Sequence, residues 1–213
     1  VIRGLIVDWG GVLTSSLRDP FEEWARADGI DYLHYKTVLA ELLSDQSQVA
    51  ARLNPIHALE RGEVANPEFE KLLADRLRSD DGGPVQHDGM LQRMFSRLQH
   101  APDMNALVRR VHALGFPTAL LSNSWGNQYP RDLWQGMFDA VVISGEVGMR
   151  KPEPEIYELA ASQIGLSTSE CVFVDDLAIN VRGAVAVGMV GVHHRGYDST
   201  LLELESIFGQ SLA

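Results

Sequence analysis

The chain has 213 residues, of which 45% are hydrophobic and 22% charged, and its net charge is −11. That composition fits a globular protein with one good core plus a smaller subdomain, and it excludes fibrous or low-complexity classes. No Lys/Arg run offers a footprint for a nucleic-acid backbone or an anionic membrane surface, and no apolar run approaches bilayer-spanning length. A small anionic ligand stays open, because local positive charge or a metal outweighs the global sign. The single cysteine, Cys171, excludes an intramolecular disulfide and reads as a small buried residue. The first residues lack the regions of a signal peptide, so a cytoplasmic protein is expected.

In chain order, the first element is an apolar run over residues 4–8 that ends on Asp8 and is followed at once by Trp9-Gly10-Gly11. Residues 16–100 then show amphipathic helices and no convincing strand. One of these helices is expected to start at Asn66-Pro67, with Asn66 as cap and Phe69, Leu72, Leu73 and Leu77 facing inward. A helix over 103–114 follows, with Met104, Leu107, Val108, Val111 and Leu114 on one stripe before Gly115 and Pro117 stop it.

Further apolar runs cover residues 117–123, 139–144, 171–176 and 190–195. A helix is expected over 153–164, carrying Ile156, Leu159, Ala160 and Ile164. The five strand-like runs lack polar alternation, which marks strands covered on both faces. Alternation with helices predicts an α/β fold built on a doubly wound, Rossmann-like parallel sheet. Residues 1–15 and 101–213 would form this core, and 16–100 an inserted α-helical cap subdomain.

Ligands in such sheets bind beyond the carboxyl ends of the strands. The residues expected there are Asp8, Ser122, Asn123, Asp175 and Asp176, joined by Lys151 from "GMRKPEPEIY" just before a helix. Acids so close repel unless a cation joins them, and all-oxygen ligation suits Mg²⁺. These motifs, in this order, resemble the haloacid dehalogenase (HAD) superfamily of hydrolases. The "DWGGVL" opening is similar to that of the phosphatase domains attached to epoxide hydrolases and of small sugar-phosphate phosphatases.

The resemblance implies a Mg²⁺-dependent phosphatase for a small phosphorylated metabolite. Asp8 would be the nucleophile that forms an aspartyl-phosphate, and Lys151 would neutralise charge. Ser122, Asn123 and the Gly11 backbone would hold the phosphoryl group. Mg²⁺ would be bound by Asp8, the Gly10 carbonyl and Asp176, with Asp175 reaching it through water or from behind. Gly10 departs from the family, in which a second aspartate usually protonates the leaving oxygen and later activates water. Glycine can do neither, and the lost general acid–base catalysis is typically worth about 10²–10⁴-fold. A weakly active or inactive phospholigand-binding protein is therefore the alternative, and carbon–halogen hydrolysis a lesser one, because it needs no Mg²⁺.

Several other residues have plainer readings. Asn180 is expected to be structural, Arg150 to lie outside the site, and Trp9 to be either pocket wall or core. Adjacent His193 and His194 should point to opposite faces of a strand and share no metal. Arg18, Trp24, Tyr32, His34 and Arg61 are possible substrate contacts in the helical region.

Overall fold

The computed structural model describes residues 1–44, 54–126 and 128–212. The chain divides into two compact units, one made of residues 1–15, 99–123 and 129–213, the other of residues 16–98 and 124–128.

The first unit carries a five-stranded sheet: β1 (Gly4–Val7), β2 (Thr118–Ser122), β3 (Ala140–Ile143), β4 (Cys171–Asp175) and β5 (Val190–His193). All neighbours are parallel and the order is β3-β2-β1-β4-β5. Every residue of β1, β2 and β4 is buried, whereas β3 and β5 at the edges are partly open. This is why the inner strands read as unbroken apolar runs: each must satisfy a covering on both faces. The result is the expected α/β, Rossmann-like architecture.

Helices supply the coverings. The helix Pro102–Ala113 buries Met104, Leu107, Val108 and Val111, while Leu114 falls just past its end and is exposed. The helix Pro154–Gln163 sets Ile156, Tyr157 and Ala160 against Ile6, Leu121, Val142 and Phe173 of the sheet. Both helices begin with a proline in the first turn, where its missing N–H costs nothing.

The second unit is helical: Arg18–Ala27, Tyr32–Ser44, Pro55–Glu60, Asn66–Ala74 and Met90–Phe95, with no strand among the described residues. It has its own core around Trp24, Tyr35, Ile56, Phe69, Leu73, Met90 and Met94. Residues 124–128 join it because Trp125 donates its indole N–H to Glu60 Oε1 at 3.0 Å and packs edge-on against Phe69. The expected cap at Asn66 is corrected here. The helix starts one residue sooner, Ala65 holds the cap position, and the Asn66 amide donates to Gly126 O at 3.3 Å. The Asn66 side chain thus holds the Gly126 carbonyl instead of accepting from the helix's first N–H groups. Among the described residues no helix is long and apolar enough to cross a membrane.

One buried carboxylate does the work of a cap. Glu70 accepts from Gly89 N at 3.1 Å and from Leu91 N at 2.9 Å, at the start of the helix Met90–Phe95, which has no side-chain cap of its own. Removing it leaves buried donors unmet, so Glu70→Ala should destabilise the protein by about 1–3 kcal/mol. Glu70→Gln, which keeps one acceptor oxygen, should lose less. Urea unfolding checks this, and equal losses would exclude the capping role.

Candidate active site

The strand order places β1 between β2 and β4, and the chain leaves β1 for β2 and β3 on one side, then returns to β4 and β5 on the other. Connections diverging from one strand open a crevice at its carboxyl end. The register fills that crevice with acids. Val7 pairs with Val174, and one residue later Asp8 N still donates to Val174 O at 2.9 Å. Asp8 and Asp175 are thus brought level on neighbouring strands.

Between them lies the Lys151 ammonium, 2.7 Å from Asp8 Oδ1 and 2.7 Å from Asp175 Oδ2. Lys151 is 1% exposed and Asp175 wholly buried, so this is a desolvated charge cluster rather than a surface ion pair. Its aim is fixed from behind. Asn123, one residue past β2, donates from Nδ2 to Lys151 O at 3.0 Å and accepts from Lys151 N through Oδ1 at 2.8 Å. Pro152 packs where Gly183 has no side chain; a Cβ there would lie 2.7 Å from the proline ring. The Phe173 ring sits 5.5 Å from the ammonium, within cation–π range.

Asp175 is fully engaged. Its two oxygens accept from Asn180 Nδ2 at 3.1 Å each, from Leu177 N at 2.8 Å and from Lys151. Asp8 is held on one side only: Trp9 N donates to Oδ1 at 2.7 Å, the same oxygen that meets Lys151, and neither donor reaches Oδ2. Asp8, Asp175 and Asp176 each offer a carboxylate oxygen within 4.8 Å of the others. Three hard oxygen donors in so small a space form a set that a divalent cation fits. With Asp175 tied to the lysine, Asp8 and Asp176 are the carboxylates best able to take one.

The glycine turn serves that cluster. The Trp9 carbonyl accepts from Leu13 N at 2.9 Å and Thr14 N at 3.2 Å, closing a tight loop. Gly11 has φ +75°, and a Cβ there would lie 2.4 Å from Asp176 Oδ2, so only glycine admits that carboxylate. The Gly11 N–H itself donates to Thr14 Oγ1 at 3.0 Å, an internal partner rather than an open anion-binding donor. Gly10 is not among the glycines with positive φ.

The electrostatics follow from crowding. Burial, then repulsion from Asp175 and Asp176, outweighs the attraction of Lys151 and pushes the Asp8 carboxyl up to about 8. Burial and Asp175 push Asp176 up to about 6. Burial alone would lower the lysine, but Asp175 and Asp8 overcome it and hold Lys151 above the ordinary lysine range.

The sequence expectations therefore meet as follows. Asp8, Lys151, Asp175 and Asp176 come together around one point, with Gly11 against Asp176 and Asn123 against the Lys151 backbone. Ser122 ends β2 with its Oγ 3.0 Å from Tyr129 Oη. Asn180 turns out to orient Asp175, five residues away. Tyr129 and Gly183 have no place in the sequence reading, although Gly183 stands only eight residues after Asp175. His193 Nε2 meets Asp176 O at 2.9 Å and His194 Nδ1 meets Thr200 Oγ1 at 2.8 Å, so the two rings serve different partners. In the helical unit Trp24 is wholly buried and donates to Asp28, which makes it core.

A lysine-bridged acidic cluster at the switch point of a Rossmann-like sheet defines an α/β protein with a buried charged site. More narrowly, the chain belongs to the haloacid dehalogenase-like hydrolase family, whose model matches residues 2–188, and it is a hydrolase of that family. It is similar to "Bifunctional epoxide hydrolase 2" of Rattus norvegicus, 29% identical over 170 residues, which cover 73% of this chain and 31% of that one. Against "Phosphatase MT3486" of Mycobacterium tuberculosis it is 32% identical over 194 residues, covering 88% and 85%. The chain thus spans about a third of the epoxide hydrolase and most of the phosphatase. In fold it resembles a HAD family enzyme from Bacteroides thetaiotaomicron in complex with magnesium and inorganic phosphate. That likeness has a TM-score of 0.63 at 22% identity and covers 90% and 93% of the two chains.

The raised carboxyls predict a pH-dependent response to divalent cations. A carboxyl raised by the fold contributes stability that is full below its unfolded value, near 3.8, and is lost as pH rises through its folded value. Cation-free protein should therefore lose stability between about pH 4 and pH 8. A divalent cation binds the ionised carboxylates, so the rise in Tm it produces should grow from pH 6 to pH 8. Thermal melting with and without Mg²⁺ checks both trends, and a cation effect that shrinks with pH would contradict them.

Proposed function

We propose that the chain is a Mg²⁺-dependent phosphomonoester hydrolase acting on small phosphorylated metabolites through an aspartyl-phosphate on Asp8. The observation that carries this reading is the one-sided clamp on Asp8: Oδ1 is held by Trp9 N and Lys151, and neither donor reaches Oδ2. A carboxylate held by one oxygen is oriented for attack by the other. The name of the Mycobacterium tuberculosis relative supports the same reaction class.

Asp8 Oδ2 attacks phosphorus; a P–O bond to Asp8 forms, the bond to the leaving oxygen breaks, and that oxygen takes its proton from water. Water then attacks the phosphorus of the aspartyl-phosphate. The bond to Asp8 breaks, and inorganic phosphate and free Asp8 result. Lys151 offsets the charge shared by nucleophile and phosphoryl group, and Asp175 keeps the ammonium in place. Ser122 Oγ offers a hydroxyl at the end of β2 for a phosphoryl oxygen. Mg²⁺, held by Asp8, Asp176 and the Gly10 carbonyl, would neutralise further charge on the phosphoryl oxygens when bound. Phosphoryl transfer depends mainly on this positioning and charge neutralisation.

Gly10 shapes the substrate range. With no carboxyl at that position, leaving groups that need little protonation suffer least, so anomeric sugar phosphates, acyl phosphates and aryl phosphates are preferred over alkyl esters. Gly10 is also the observation behind a second reading, in which the site holds a phospholigand without turnover.

Mg²⁺-dependent phosphate release should be faster from glucose 1-phosphate than from glucose 6-phosphate, and Asp8→Asn should abolish both. Binding of phosphate without any release would favour the second reading. Gly10→Asp should raise turnover of glucose 6-phosphate by about 10²-fold, the lower end of what general acid–base catalysis supplies. A clear preference for the 6-phosphate in the unaltered enzyme would contradict the leaving-group argument.

A further inference from the structure

Among the described residues, the Trp9 indole nitrogen is a buried side-chain donor with no acceptor. The ring is only 6% exposed. Two other indoles of this chain behave differently: Trp24 donates to Asp28 Oδ2 at 2.9 Å and Trp125 to Glu60 Oε1 at 3.0 Å. A buried donor left unmet costs about 1–3 kcal/mol, and folded proteins retain few of them. This one belongs to the residue that follows Asp8 in the chain.

Its surroundings hold it there. The Trp9 N–H of the main chain is committed to Asp8 and its carbonyl closes the glycine turn. The ring meets Tyr129 edge-on, with centroids 4.8 Å apart, and the Tyr129 hydroxyl lies 3.0 Å from Ser122 Oγ. Trp9 is thus tied to Asp8 through its main chain and to Tyr129, the neighbour of Ser122, through its ring, and these contacts leave the indole N–H unused. An indole N–H donates but does not give up its proton. It can hold charge on an oxygen without acting as an acid, which is the kind of help an active site lacking an aspartate at position 10 can still use.

We propose that the Trp9 indole N–H donates a hydrogen bond to an oxygen of the phosphorylated substrate, an assignment that rests on the phosphatase reading above. The acceptor is either a non-bridging phosphoryl oxygen or the leaving oxygen.

The test is Trp9→Phe, which keeps an aromatic ring against Tyr129 and removes the donor together with part of the ring volume. In the unliganded variant the lost unmet donor raises stability and the lost ring volume lowers it, so binding and turnover, not melting, are the readouts. The variant's affinity for inorganic phosphate in the presence of Mg²⁺, or its kcat on glucose 1-phosphate, should fall by about 10–100-fold, the worth of a hydrogen bond to a charged group. Loss of phosphate affinity assigns the bond to a phosphoryl oxygen; loss confined to kcat assigns it to the leaving oxygen. In the wild-type protein, NMR should show the Trp9 indole proton moving downfield when phosphate is added, a readout that does not depend on the variant folding. Unchanged affinity and kcat in Trp9→Phe, or an indole proton indifferent to phosphate, overturns the assignment. A wild type that neither binds nor releases phosphate overturns the phosphatase reading instead, and the assignment with it.

Discussion

The fully buried ammonium of Lys151, held 2.7 Å from both Asp8 and Asp175, is the constraint on which the rest depends. Removing one partner from such a cluster leaves an uncompensated buried charge, at a cost of about 3–5 kcal/mol. Every group around it is accordingly locked. Asp175 is fixed by Asn180 and Leu177, Asp8 by its own strand and by Trp9, and the lysine backbone by Asn123. The sheet contributes the register, and the helix Ala178–Ala186 contributes the amide that orients Asp175.

One lysine cannot balance three carboxylates. The imbalance shows in Asp8 and Asp176, both pushed above the usual aspartate range. The site is thus built short of positive charge, a state that a divalent cation would relieve. Strain of this kind belongs to sites that act on charge, and it agrees with membership of a hydrolase family.

Much of this was legible in the sequence, because it lies in short-range pattern. Five apolar runs gave the strands, polar residues at their ends gave the positions of Asp8, Ser122 and Asp175, and prolines placed two helix starts. What escaped depends on partners distant in the chain. Asn66 looks like a cap, yet the helix starts with it and its amide nitrogen donates to the distant Gly126 carbonyl. Residues 124–128 look like a core loop until Trp125 finds Glu60 and Phe69. The place of Tyr129 beside Ser122 and the unmet indole of Trp9 are properties of packing, and no spacing rule announces either.

The Asn123 amide has a meaning beyond its two hydrogen bonds. By donating to the carbonyl of Lys151 and accepting from its N–H, a side chain performs what a neighbouring strand performs for its partner. The segment bearing the lysine has no ladder of its own, yet it is sewn to the end of β2 as though the sheet continued by one more rung. The end of the sheet thus extends its order to a loop, and the lysine that the loop carries is aimed as a strand residue would be.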